Sequence, residues 1–198
     1  MKTGAVIVAA GLSSRMGEFK PLLPLGESTL IGTVIAAFRR AGADPIVLVT
    51  GHRAEELEAH VAGTGVHCIR NENYRTTDMF ASAAIGMAHI RSMCDQFFFT
   101  PGDVPLFSGA TLHTLLACGA PLCKPVCGSK DGHPILIRCD LVDAILRSGG
   151  EGGLKGALDR CSTEMVSVPV DDTGTLYDAD TPEAYRKLLT RYDAAHDR

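Results

Sequence analysis

The sequence has no excess of positive charge. Its 198 residues carry 19 Lys+Arg against 23 Asp+Glu, a formal net charge of -4, and the pI is near 5.9. General nucleic-acid binding normally needs a basic face, so that class is set aside. A local basic pocket remains compatible, because a phosphate ligand answers to neighbouring charges and not to the total. Long apolar runs are missing as well. The stretch Gly4-Ala5-Val6-Ile7-Val8-Ala9-Ala10 falls well short of the ~20 residues that cross a bilayer. It runs into a polar glycine loop and lacks the shape of a secretory signal. No membrane partner is expected, and the cytoplasm is the expected compartment. The seven cysteines are an odd number and include no CxxC pair. Cys118, Cys123 and Cys127 form the one cluster, but zinc spacings are missing there and no fourth ligand is obvious. In a reducing compartment most cysteines are expected to be small buried hydrophobes. Linkers, internal repeats and low-complexity tracts are absent too. With 45% hydrophobic and 21% charged residues, the chain reads as one globular domain over residues 1–198.

What is present is an alternation of strand-like and helix-like runs, which points to an α/β layered fold with a largely parallel sheet. Residues 5–9 read as a buried strand ending in the glycine loop. Ser28 is placed to cap a helix with Leu30, Ile31, Val34, Ile35 and Phe38 at helical spacing, stopped by Gly42. Strands are expected at 45–50 and 66–69, with a polar helix over 53–62 between them. A stripe of Met79, Phe80, Ala83, Ala84, Met87 and Ile90 marks a helix opening near Thr77 or Asp78. Phe97-Phe98-Phe99 belongs to a strand too apolar for an exposed sheet face, and Ser108 begins the next helix. Residues 121–126 and 134–137 are expected to pair as a hairpin. Short helices follow at 140–147 and 153–161, then a strand at 164–170. The last helix has Thr181 as its cap and Pro182 at its first position.

In an open parallel sheet, ligands bind beyond the carboxyl ends of the strands. Two polar loops fall there. Residues 10–20 offer small side chains with exposed backbone N–H groups, followed by Arg15 and Lys20. Backbone amides and fixed cations are what a polyphosphate requires. The spacing matches neither Walker A nor Gly-x-Gly-x-x-Gly. An ordinary turn with solvated cations is the alternative; two cations and Met16-Gly17 directly after the first strand favour phosphate. The second loop, Pro101-Gly102-Asp103-Val104-Pro105, places a carboxylate on a rigid turn. That suits Mg2+, which keeps several waters and takes one or two protein carboxylates, although many strand-end aspartates only cap a turn. Asp180, in Asp178-Ala179-Asp180-Thr181-Pro182, is a candidate second ligand, and Asp178 serves to start the turn. Gly132-His133-Pro134 reads as a shaped loop in reach of a substrate. No serine or cysteine stands in a nucleophile context.

These motifs resemble a known family. Ala9-Ala10-Gly11-Leu12-Ser13-Ser14-Arg15-Met16-Gly17 with Lys20-Pro21-Leu22-Leu23 is similar to the signature of nucleotidyltransferases that activate phosphorylated small molecules. Gly102-Asp103, Gly132-His133-Pro134 and 178–183 narrow the likeness to the molybdenum-cofactor branch, nearest its cytidylyltransferases. The likeness spans nearly the whole chain. It implies a three-layer α/β/α Rossmann-like fold with a mostly parallel mixed sheet. By it, Ala10, Gly11 and Leu12 would lie near the base. Ser14 and Arg15 would meet the phosphates, and Lys20 would lie between nucleotide and acceptor. Asn71 and Ser82 fall where the family places base and ribose contacts. Asp103, with Asp180, would hold Mg2+, and Gly132, His133 and Pro134 would bind the acceptor. Catalysis would rest on Arg15, Lys20 and Asp103.

The implied reaction is attack by an acceptor phosphate oxygen on the α-phosphate of CTP, with loss of pyrophosphate. Molybdopterin cofactor is the implied acceptor, and a molybdoenzyme of the hydroxylase type the implied downstream partner. Three departures stand out. Val104 replaces the glutamine or methionine common after Gly-Asp. Residues 77–82 replace a Gly-Met-Ser-like stretch. Asp131 stands where an arginine often precedes Gly-His-Pro. The last two leave base and acceptor open. GTP, a sugar or alcohol phosphate acceptor, and a non-catalytic cofactor carrier of the same fold stay as alternatives.

Overall fold

In the computed structural model, which describes residues 1–161 and 163–196, strands and helices alternate through the first half of the chain. The elements are β1 (Thr3–Ala9), a short β2 (Pro24–Leu25) and β3 (Ser28–Thr29), α1 (Leu30–Arg40), β4 (Ile46–Thr50), α2 (Ala54–His60), β5 (His67–Arg70), α3 (Met79–Ile90), β6 (Gln96–Pro101) and α4 (Gly109–Cys118). The second half adds β7 (Leu122–Cys127), β8 (Lys130–Asp131), β9 (Ile135–Arg138), α5 (Val142–Arg147), α6 (Gly153–Asp159), β10 (Val166–Pro169) and α7 (Pro182–His196). No helix among the described residues is long and apolar enough to cross a membrane.

The main sheet runs β10-β7-β9-β6-β1-β4-β5, with β8 attached to β7. β5, β4, β1 and β6 are parallel, and β10 is parallel to β7. β9 lies antiparallel between β6 and β7. The central strands are apolar without alternation because both faces are covered. Ala5, Ile7, Leu48 and Phe98 pack on one side with Ile31, Val34 and Phe38 of α1 and Leu112 and Leu115 of α4. Val6, Val47, Val49, Phe97 and Phe99 pack on the other with Phe80, Ala83, Met87 and Ile90 of α3 and with residues of α5 and α6. All three phenylalanines of β6 are 0% exposed; each such burial is worth about 1.5–3 kcal/mol. The result is the three-layer α/β/α arrangement with a mostly parallel mixed sheet.

Two further packing features set the site. α3 sits so close to β1 that a Cβ on Gly86 would lie 2.5 Å from Val6 Cγ1, which brings the start of α3 over the end of β1. On the other flank Met16, Leu23, Leu25, Leu30, Ala179 and Leu188 form a separate cluster. It ties α7 to the loop that follows β1, and the Tyr185 hydroxyl donates to the Pro24 carbonyl at 2.5 Å.

Several sequence expectations need correction. The cap of α1 is Thr29, whose side chain accepts from Gly32 N at 3.1 Å; Ser28 instead pairs with Leu25 between β3 and β2. The runs at 121–126 and 134–137 do meet, through Leu122 with Ile137 and Cys123 with Leu136. The tight arm next to β7, however, is β8, and β9 pairs along its whole length with β6. Of the cysteines only Cys123 is buried; Cys118 is exposed and the others are half-buried.

Candidate active site

β1 is flanked on one side by β4, which follows it in the chain, and on the other by β6, reached by a crossover. This change of direction is a topological switch point, and it opens a crevice beyond the carboxyl ends of β1 and β6. The two ends are level: Val8 is paired with Pro101, and Gly102 N donates to the Val8 carbonyl at 2.8 Å.

The loop after β1 is fixed from within. Ser13 takes a left-handed conformation, φ 54, and its carbonyl accepts from Met16 N at 3.0 Å and Gly17 N at 3.2 Å. Its hydroxyl accepts from Lys20 N at 3.3 Å. Buried Met16 anchors the loop below, while Gly11, Leu12, Ser14 and Arg15 are exposed above. Among the described residues, the amides of Leu12, Ser14 and Arg15 donate to no protein acceptor. Such a run of free N–H groups is an anion-binding feature.

Lys20, Asp103 and Asp180 meet at the mouth of the crevice. Lys20 Nζ donates to Asp103 Oδ2 at 2.5 Å and to Asp180 Oδ1 at 2.8 Å. Arg15 reaches the other oxygen of Asp180 at 2.7 Å. Ala179 N donates to the Asp103 carbonyl at 3.1 Å, which fixes the 178–180 turn against the second loop. Lys20 and Asp103 side chains are only 17% and 16% exposed, whereas Arg15 is 71% exposed. Burial presses the Lys20 pKa down, but the charge and hydrogen bond of Asp103, with those of Asp180, outweigh it and hold it above the usual lysine value. Burial likewise favours neutral Asp180, yet Lys20 and Arg15 together keep its carboxyl below the ordinary range. Asp178 accepts from Asp180 N at 3.2 Å, but burial outweighs that bond and the Lys20 charge and pushes its carboxyl up.

The crevice has two adjoining parts. One is walled by the backbone at Ala9–Gly11 and by Tyr74, Thr77, Asp78, Met79 and Ser82. The other is walled by Leu12, Ser14, Arg15, Val104, His133, Asp178 and Asp180. Lys20 and Asp103 line both. Site candidates from the two strand-end loops, from 178–180 and from the His133 turn therefore come together. Gly132 and Pro134 lie buried behind that turn, outside the walls. Gly132 N donates to the Pro125 carbonyl and His133 N to Thr175 O, each at 2.9 Å. The imidazole has its pKa lowered by burial, against the opposing effects of Asp103 and the Phe99 backbone, so it is neutral at pH 7. Its buried Nδ1 has no hydrogen-bond partner among the described residues.

Asn71 stands apart. It is 3% exposed and lines a neighbouring hollow beside Arg53 and Arg70. Its amide donates to Thr77 Oγ1 at 3.0 Å and Ser82 Oγ at 2.9 Å, and its carbonyl accepts from Asn73 N at 3.0 Å. Both N–H bonds are thus used within the protein, and Ser82 reaches the crevice wall braced by Asn71. Residues that sequence reasoning did not single out for the site include Ser13, Tyr74, Thr77, Asp78 and Met79. Thr77, Asp78 and Met79 stand out in the sequence as part of the departing stretch 77–82, and Asp78 also as a helix start, which it is: its side chain accepts from Ala81 N at 3.0 Å. Tyr74 carries no signal. Met79 is 54% exposed, an apolar surface at the start of α3 that the helical stripe assigned to the core.

The donor set fits a hard divalent cation. Oxygens of Asp103 and Asp180 already converge on one point, the Lys20 ammonium. Among the described residues no group of three or more His, Cys, Asp or Glu side chains is placed to hold a metal. Two carboxylates completed by water and ligand oxygens is the way Mg2+ is usually bound beside phosphates.

Comparison with known proteins gives the family. Residues 5–166 match the family model described as the MobA-like NTP transferase domain. The chain is 28% identical to the molybdenum cofactor cytidylyltransferase of Escherichia coli over 191 residues, which is 94% of this chain and 95% of that one. It is 30% identical over 165 residues to the CMP-5'-(3-aminopropyl)phosphonate synthase of Streptomyces rubellomurinus, covering 78% of this chain but 24% of that longer protein. Among solved structures, a nucleotidyl transferase from a Methanothermobacter species superposes with a TM-score of 0.85 at 25% identity, over 98% of this chain and 99% of that one.

Proposed function

Because the chain belongs to the family of MobA-like NTP transferase domains and is a nucleotidyltransferase, we propose that it transfers CMP from CTP to the phosphate of molybdopterin cofactor, releasing pyrophosphate. The observation that carries this reading is the meeting of Arg15, Lys20, Asp103 and Asp180 at the border of a two-part crevice. One part suits a nucleoside, the other a phosphorylated acceptor, and the reacting phosphates of both would lie at the shared charged border. The near full-length similarity to a cytidylyltransferase of this cofactor supports the choice of donor and acceptor.

The chemistry asks for charge management more than for a base. An acceptor phosphate is already a nucleophile at neutral pH. Its oxygen attacks the α-phosphorus in line, and the bond to the β-phosphate oxygen breaks as pyrophosphate leaves. The obstacle is the approach of two anions. Arg15 and Lys20 would bind the phosphate oxygens of donor and acceptor, and the free amides of Leu12, Ser14 and Arg15 would hold the triphosphate in register. Asp103 and Asp180 would hold Mg2+, which when bound lowers the charge on the phosphate oxygens. Ala10, Gly11 and Ser82 would face the nucleoside, and Asn71 would act behind Ser82 as its brace. Neutral His133 would form part of the acceptor wall, where its turn places it. Positioning and electrostatic stabilisation supply nearly all the catalysis in transfers of this kind.

The test is a pyrophosphate-release screen of CTP, GTP, ATP and UTP with Mg2+, each with and without molybdopterin cofactor. CTP with the pterin is expected to give the fastest release. Faster release with GTP would overturn the base assignment. Stimulation by a sugar or alcohol phosphate and not by the pterin would overturn the acceptor. Binding of both ligands without pyrophosphate release would indicate a carrier.

A further inference from the structure

Lys20 is held by the two carboxylates that the proposed function gives to the metal. Its ammonium lies 2.5 Å from Asp103 Oδ2 and 2.8 Å from Asp180 Oδ1, so lysine and divalent cation call on the same oxygens. We propose that Lys20 is the resident cation of this position and that metal and nucleotide load as a pair, the nucleotide phosphates drawing Lys20 away as the metal takes its place. The inference rests on the reading of Asp103 and Asp180 as metal ligands.

Local charge carries the argument. Asp103, Asp180, Lys20 and Arg15 pair off as two anions and two cations, and Asp178 stands beside them on the same wall. A divalent ion entering this set alone would find its ligands occupied and would sit next to an ammonium and a guanidinium. Lys20 and Asp103 are largely shielded from water, so this repulsion is screened much less than at an exposed surface. A triphosphate changes the balance. It brings several negative charges and offers both cations new oxygen partners. Lys20 also lines both parts of the crevice, and its four-carbon stem lets the charge swing while the backbone stays pinned to Ser13. Each ligand then tightens the other by the same factor, as linkage requires.

Mn2+ binding, read by the electron paramagnetic resonance of the free ion, tests this without turnover. In the wild-type protein Mn2+ is expected to bind weakly alone and on the order of tenfold or more tighter with α,β-methylene-CTP. Lys20→Met keeps most of the length of the side chain and removes the charge. It is expected to bind Mn2+ alone more tightly than wild type, by on the order of tenfold or more, and to lose most of the gain from the nucleotide. Lys20→Arg retains the charge and is expected to stay weak. Melting curves of both variants confirm that they are folded. Equal or weaker Mn2+ binding by folded Lys20→Met, or no tightening by the nucleotide in wild type, would overturn the exchange. Asp103→Asn, measured with α,β-methylene-CTP present, is the separate control: if it bound Mn2+ as tightly as wild type does, the ligand assignment itself would fail, whatever Lys20 did.

Discussion

Replacing Asp103 by asparagine tests the charge at the centre of the site with little change of shape. The amide keeps the shape and one oxygen that can still accept from Lys20, now 2.5 Å away, but removes a full charge from the border of the crevice. Lys20 is not left alone, since Asp180 stays at 2.8 Å. The loss of stability is therefore that of one weakened charge-assisted hydrogen bond, about 1–2 kcal/mol. In a chain of this size that lowers the melting temperature by roughly 2–8 °C. Turnover depends on charge placement at the reacting phosphates, where removing one contact typically costs on the order of 10²–10³-fold. Steady-state pyrophosphate release at saturating substrate, alongside a melting curve, gives both numbers from one preparation. Turnover within threefold of wild type would refute the assigned role, as would a loss of activity wholly explained by unfolding.

Arg15→Ala should lower turnover by on the order of 10²-fold while the melting curve barely moves, because the side chain is 71% exposed and exposed ion pairs contribute little; paired kinetics and calorimetry check this. Gly132→Ala would put a Cβ 2.6 Å from Thr175 Oγ1 and 3.0 Å from its carbonyl. It is expected to cost about 1–3 kcal/mol by overpacking, read by urea unfolding, and to weaken acceptor binding more than CTP binding by shifting His133. Far from the crevice, Glu58 accepts from Arg70 at 2.8 and 2.7 Å and from Thr50 at 2.9 Å. The Arg70 hydrogen bond is the largest influence on its carboxyl and, with Thr50, holds it below its ordinary value of 4.5 against the effect of burial. A depressed carboxyl stabilises above its unfolded pKa and ceases to do so as the pH falls through its folded one. The stability gap between wild type and Glu58→Gln should thus be full at pH 7 and shrink below pH 4.5; an unchanged gap at pH 3 would contradict the assignment.

The strands that build the crevice were legible because their residues permit little else. The runs at 5–9 and 97–99 are apolar without alternation, as strands covered on both faces must be, and the loops after them begin where the apolar residues stop. Periodicity identifies a strand but not its neighbour. Hence β9 was expected beside β7, while its full pairing with β6, residue against residue from Phe99 with Ile135 to Gln96 with Arg138, was not. The cap of α1 moved by one position because Ser28 and Thr29 offer the same chemistry; both lie in the β2–β3 pairing, and Thr29 is the one directly before the first helical residue. Asn71 shows a different limit. The family resemblance placed it at a ligand contact, but its hydrogen bonds to Thr77, Ser82 and Asn73 depend on how the start of α3 sits against the sheet. The convergence of Lys20 with Asp103 and Asp180 was implied only as separate roles. That the three touch is a property of the fold, set by the α7 cluster and the bond from Ala179 to the Asp103 carbonyl.

The most direct measurement follows the α-phosphate. With CTP labelled at that position, Mg2+ and molybdopterin cofactor, the account predicts label in a cytidine dinucleotide form of the pterin and unlabelled pyrophosphate in equal amount. Label remaining in CTP, or released as free CMP with the pterin unmodified, would contradict it.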